Sequence, residues 1–181
     1  QAFMRQSAQG LIGKSLMLEH VHPTVQGYFV LADSFYQKLQ QQQFAGRWQR
    51  VIDAQVAWSQ RPLLPAEEFA GLARIQQLTS DYPFQQSPQP VVLPEVKDWQ
   101  QQLGLDYFQG KISWVKMLEL SYQGYQQRQD KAMLLKTTLI LAEALPQHQQ
   151  LNKLAAAMLR QQQRQPEASF YQHRVQLAKP L

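Results

Sequence analysis

The sequence contains no cysteine. That excludes disulfides, thiolate metal sites and a cysteine nucleophile, but it separates neither cytoplasm from periplasm nor either from any other compartment, so localisation stays open. No apolar run reaches the roughly 18 residues of a spanning helix. The longest, Ala132 to Leu145, is interrupted by Lys136 and Glu143, so this segment has no membrane span. Charge is also sparse, at 17% of residues with a formal excess of +5. The basic residues stand in ones and twos (Arg47/Arg50, Arg128/Lys131, Arg160/Arg164) rather than in a stripe, which argues against a nucleic-acid surface. The sequence has no initiator Met or recognisable signal segment ahead of Gln1, and we read it as a piece or processed form of a longer protein.

What is abundant is glutamine, about a fifth of the 181 residues, placed on the polar faces of amphipathic segments as solvated helix surface. A chain of this length buries enough surface to fold without staples. Gln1 to Gln9 reads as the end of a helix stopped at Gly10, and Leu11 to Leu18 as a strand or extended connection. Thr24 is a plausible N-cap for a helix over 25–42, with Val25, Tyr28, Phe29, Leu31, Ala32, Phe35, Tyr36 and Leu39 on one stripe. Phe44 to Ser59 repeats that periodicity up to the break at Arg61-Pro62. Another helix is expected from Pro65 to about Asp81, with Phe69, Leu72, Ile75 and Leu78 inward. The Pro-rich stretch 85–94 is the clearest linker and the expected lobe boundary.

From Glu95 the segments become regular: 95–109, 112–127, 131–145, 148–163 and 166–178. The starts at 112 and 148 lie 36 residues apart and those at 131 and 166 lie 35 apart, the period of a helix hairpin stacked on a copy of itself. The expected fold is therefore mainly all-α, built of antiparallel helix hairpins. Trp48, Trp58, Trp99 and Trp114 lie on apolar stripes and are expected in the core, while His148 and His173 read as exposed.

One motif carries chemistry. The residues Gly10-x-x-Gly13, then Leu18-Glu19-His20-Val21-His22-Pro23-Thr24-x-x-Gly27-x-x-x-x-Ala32, resemble the last conserved block of SGNH (GDSL-type) serine hydrolases. In that family the block reads Asp-x-x-His, usually followed by Pro and then by a Gly within the final helix. The resemblance implies that His22 is the general base of an ester- or acyl-cleaving triad and Glu19 its acidic partner, and that residues 1–42 are the C-terminal remnant of an α/β domain. Two departures stand out. Glu19 replaces the usual Asp, and no Gly-Asp-Ser block, oxyanion glycine or family Asn precedes it, so the nucleophile is absent from this chain. Ser34, in Ala32-Asp33-Ser34, lies inside the expected helix and is a weak substitute. Two other readings of the same residues stay open: Glu19 as a local cap with His22 a surface turn residue, or Glu19, His20 and His22 as part of a metal site. Gly10-Leu-Ile-Gly13-Lys14-Ser15 sets its two glycines too close for a phosphate loop. No cofactor motif is present.

The following chain, after a connector over 43–84, is similar to tetratricopeptide-type repeats over 95–181. The first unit carries Trp114, Leu118, Tyr122, Tyr125, Ala132 and a terminal Pro146, and the second Leu151, Leu154, Ala155, Met158, Ala168 and Tyr171. The resemblance implies a protein or peptide partner on the face between Ile112 and Ala178. An irregular helical bundle is the alternative. Two functions are thus expected: the C-terminal part of an SGNH-like hydrolase, incomplete alone, whose full-length form would take an ester or acyl substrate; or a non-catalytic interaction module.

Overall fold

The computed structural model describes residues 2–7, 11–19 and 21–177. Among them are nine helices and no sheet, so the mainly α-helical class is observed. They are α1 (Ala2–Gln6), α2 (Val25–Gln41), α3 (Ala54–Ser59), α4 (Pro65–Leu78), α5 (Trp99–Phe108), α6 (Trp114–Gln127), α7 (Lys131–Ala144), α8 (Gln149–Gln161) and α9 (Gln165–Leu177). The chain divides into two compact units, 1–61 and 62–181. That division falls at Arg61/Pro62 rather than in the Pro-rich stretch 85–94, because α4 and α5 pack on each other from either side of that stretch.

In the first unit α2 begins where the Thr24 side chain accepts the Gly27 N–H, as an N-cap does. It ends with Gln43 in the left-handed region (φ 49°), where the Phe44 N–H reaches back to the Leu39 carbonyl. Ala45 and Gly46 are left-handed too, at φ 63° and 105°. This turn prevents the helix expected over Phe44–Ser59: only Ala54–Ser59 is helical, started by the Asp53 carboxylate accepting from Gln55 and Val56. Tyr36 meets Trp48 edge-on at 5.1 Å and its hydroxyl accepts the Ile52 N–H, while Phe29 meets Trp58 at 5.0 Å. The stripe expected to face inward on α2 is largely exposed; the buried residues of the helix are Gly27 and Val30, neither of them on that stripe.

The second unit is a run of helices in which α4 packs on α5, α5 on α6, α6 on α7, α7 on α8 and α8 on α9. One core gathers Leu64, Ala66, Met117, Leu118, Tyr125, Ile140 and Leu141, and a second gathers Leu135, Ala142, Ala155, Ala156, Leu159, Ala168 and Tyr171. Leu151 packs against both and so makes the two continuous. Along α4 the buried residues are Ala66, Phe69, Ala70 and Ala73, whereas Leu72 and Leu78, expected inward, are about half exposed. Small residues serve there because α5 comes so close that a Cβ on Gly104 would collide with the Ala66 carbonyl oxygen. Gly124 plays the same part on α6, admitting the Trp99 ring, which also stacks edge-on with Tyr125 and lies under the Arg128 guanidinium. Trp114, by contrast, is 36% exposed, its indole N–H donating to Glu67 at 2.8 Å.

The helical repeat is visible in its turns. The starts of α6 and α8 lie 35 residues apart and those of α7 and α9 lie 34 apart. Both α6 and α8 close with a left-handed glutamine, Gln129 (φ 56°) and Gln163 (φ 58°), after which the Asp130 and Arg164 N–H groups bond the Tyr125 and Leu159 carbonyls at 3.0 Å each. Two hairpins with the same turn chemistry are thus stacked in sequence. Asn152, fully buried, secures the connection between them by donating to the carbonyls of Pro146 and His148 at 2.9 and 3.0 Å.

Candidate functional site

The sequence motif occupies the loop ahead of α2. A turn at Gly13, whose carbonyl accepts from the Leu16 and Met17 N–H groups, starts the loop. The chain then doubles back: Met17 and Pro23 form an isolated antiparallel bridge, the Leu18 N–H donates to the His22 carbonyl at 2.8 Å, and the Thr24 N–H to the Leu16 carbonyl at 2.9 Å. Leu16, only 2% exposed, anchors the base of this narrow hairpin, and among the described residues its two arms form the one isolated bridge rather than a strand pair.

At the tip, the Glu19 carboxylate collects donors from its own loop. It accepts the Val21 N–H at 2.9 Å and the His22 N–H at 2.7 Å, and its Oε1 is hydrogen-bonded to His22 Nδ1. Burial works to raise the Glu19 pKa. The opposing hydrogen bonds from the Val21 amide and from the His22 side chain and amide, with the nearby His22 charge, outweigh it and hold the carboxyl below its ordinary value. The Glu19 side chain is 6% exposed and the His22 side chain 54%. With Nδ1 turned onto the carboxylate, His22 Nε2 has no hydrogen-bond partner among the described residues. In the tautomer with the proton on Nδ1, that outward nitrogen carries the lone pair and can take a proton from an approaching hydroxyl.

The remaining sequence candidates fall elsewhere. Ser34 sits on α2 with its hydroxyl donating to the Val30 carbonyl at 2.7 Å, a helical back-bond rather than an exposed nucleophile. Gly10 and His20 lie outside the described residues, and among those described no group of three His, Asp or Glu side chains could hold a metal. Lys14 and Ser15 lie in a turn, and the described residues ahead of it, 11–13, form no strand. A cavity of about 520 Å³ along α1 and α2 is lined by Arg5, Asp33 and Lys38 among others, and includes neither Glu19 nor His22.

The acid-to-base spacing of three was legible as a pair. The backbone donors that also converge on Glu19 were not, because amides carry no residue code; nor was the bond from the Thr24 hydroxyl to the Ser15 carbonyl at 2.9 Å. On the array, the corresponding surprise is a polar cluster between α7 and α9. Arg174 binds Glu143 through two nitrogens at 2.9 Å each, the Tyr171 hydroxyl donates to the same carboxylate, and the guanidinium lies 4.4 Å from the Phe170 ring. Burial above all, with Glu143 as hydrogen-bond acceptor and nearby charge, pushes the Tyr171 phenol up to about 12. Among the described residues no helix is long and apolar enough to cross a membrane. No family model, curated protein or solved structure matches the chain.

Proposed function

We propose that residues 1–42 are the acid–base end of an SGNH-like serine hydrolase and that the helical repeat following them docks a protein or peptide partner. The observation that carries the reading is the pairing of Glu19 with His22 Nδ1 on a side chain that stays 54% exposed. In an acyl transfer, the carboxylate would hold the imidazole tautomer and stabilise imidazolium, Nε2 would accept the proton of a serine hydroxyl, and backbone donors elsewhere in the longer polypeptide would hold the oxyanion. Further support comes from α2, where Tyr28, Leu31, Phe35 and Leu39 form a stripe at helical spacing with exposures from 36% to 69%. An apolar face of that size suits a helix that belongs against more of a domain than is present here. Glu19 in place of Asp still reaches His22 Nδ1, the contact that the role requires.

The test compares this chain with the longer product of its reading frame. The chain alone is expected neither to turn over small activated esters nor to be labelled by a serine-directed fluorophosphonate, while the longer protein does both. Turnover by this chain that depends on one of its own serines would overturn the division of labour. A second reading, a non-catalytic tetratricopeptide-like interaction module, is supported by the matched turns at Gln129 and Gln163. A reading frame with no Gly-Asp-Ser ahead of Glu19 would leave that reading alone.

A further inference from the structure

We propose that Thr24 and Gly27 are positioning residues for His22, forming a clasp that fixes the Glu19–His22 loop to the first turn of α2. The inference rests on the reading of that pair as acid and base, but its geometry is independent of any reaction. Thr24 uses one hydroxyl twice: it donates to the Ser15 carbonyl at 2.9 Å, on the outgoing arm of the hairpin, and accepts the Gly27 N–H at 3.0 Å, on the helix. Its backbone N–H adds a third tie, to the Leu16 carbonyl at 2.9 Å. One residue therefore joins the arm before the tip, the arm after it and the helix.

Gly27 supplies the space this needs. A Cβ there would collide with the Leu16 carbonyl oxygen and come within 2.8 Å of Pro23 Cβ, so the hairpin could not lie on the helix. Since Leu16 and Pro23 flank the tip on either side, pushing them away opens the frame across which Leu18 N–H bonds the His22 carbonyl. The clasp touches neither imidazole nor carboxylate. It acts by holding the backbone on which the two side chains meet.

The experiment uses this chain. Nitrogen NMR of the His22 ring reads its tautomer, and amide exchange at Leu18 and Thr24 reads opening of the hairpin. Thr24→Val keeps the shape of the side chain but removes both hydroxyl bonds; Thr24→Ser restores them. Thr24→Val is expected to raise exchange at Leu18 and Thr24 roughly fivefold, the size of a lost helix cap, and to reduce the Nδ1-protonated fraction of His22, with Thr24→Ser at wild-type values. Gly27→Ala is an independent arm, because it leaves the hydroxyl in place and displaces the Leu16 carbonyl; it should move the same two readouts. Wild-type tautomer and exchange in both Thr24→Val and Gly27→Ala would overturn the proposal. In the longer protein, the clasp variants should lower kcat with KM little changed. A longer protein without esterase activity would sink the hydrolase reading and leave the clasp to be judged by NMR alone.

Discussion

At the scale of single residues the structure turns on what Glu19 accepts. Its carboxyl is held below its ordinary value of 4.5 in the folded loop, so the sign of the linkage is fixed. The stabilisation is present above the unfolded value and is lost as pH falls through the lower folded one. Protection of the Val21 and His22 amides should therefore decline on acidification below about pH 4.5, and Glu19→Gln should flatten that dependence. Amide exchange against pH in both forms checks it. Tyr171 gives the opposite case. Its phenol is raised from 10.0 to about 12, so the folded state favours the protonated form; this contribution is complete below pH 10 and lost as pH rises towards 12. A spectroscopic titration should find one tyrosinate appearing last, absent from Tyr171→Phe. The residue types at 19 and 22 made the pair readable, because chemistry at fixed spacing is written in side chains. The clasp at Thr24 was readable only as a helix cap, because its second partner is a carbonyl nine positions earlier that no side chain announces.

Individual elements were most legible where periodicity and caps agreed. The helix expected over 25–42 is observed at Val25–Gln41, and the later helices fall within a few residues of their expected ends. Where they disagreed, local backbone won: Gln43, Ala45 and Gly46 take left-handed conformations, so Trp48, Val51 and Ile52 follow an irregular path despite helical spacing. Gln129 and Gln163 occupy positions where glycine avoids a Cβ penalty. Substituting glycine at either should stabilise the second unit by up to about 1 kcal/mol, read as a higher denaturant midpoint with unchanged slope. The reverse holds at the buried end of α8. Asn152→Ala removes the donor to two carbonyls in the joint between hairpins and should cost about 1–3 kcal/mol, which urea unfolding would measure. The sequence analysis gave Asn152 no part, since nothing local shows that the joint folds over it.

On the scale of the whole chain the two units are built to different standards. Among the described residues, all the buried apolar side chains but two, Leu16 and Val30, lie in 62–181, whereas the first unit exposes Tyr28, Phe35 and Phe44 by more than half. Native-state hydrogen exchange should accordingly find α2 and α3 opening at lower free energy than α6, α7 and α8. The boundary between units was hidden because prolines at 83, 88, 90 and 94 mark a loop and do not reveal that α4 and α5 pack across it. A long, proline-rich insertion between packed helices and a linker between lobes have the same composition; only packing separates them.

The imidazole at the hairpin tip can be addressed by one substitution. On the proposed reading, in a polypeptide that joins this chain to a domain supplying the serine, His22→Ala should reduce ester hydrolysis by about a thousandfold or more while far-UV circular dichroism stays unchanged. Hydrolysis at the full rate by that variant, equally well folded, would remove His22 from the proposed triad.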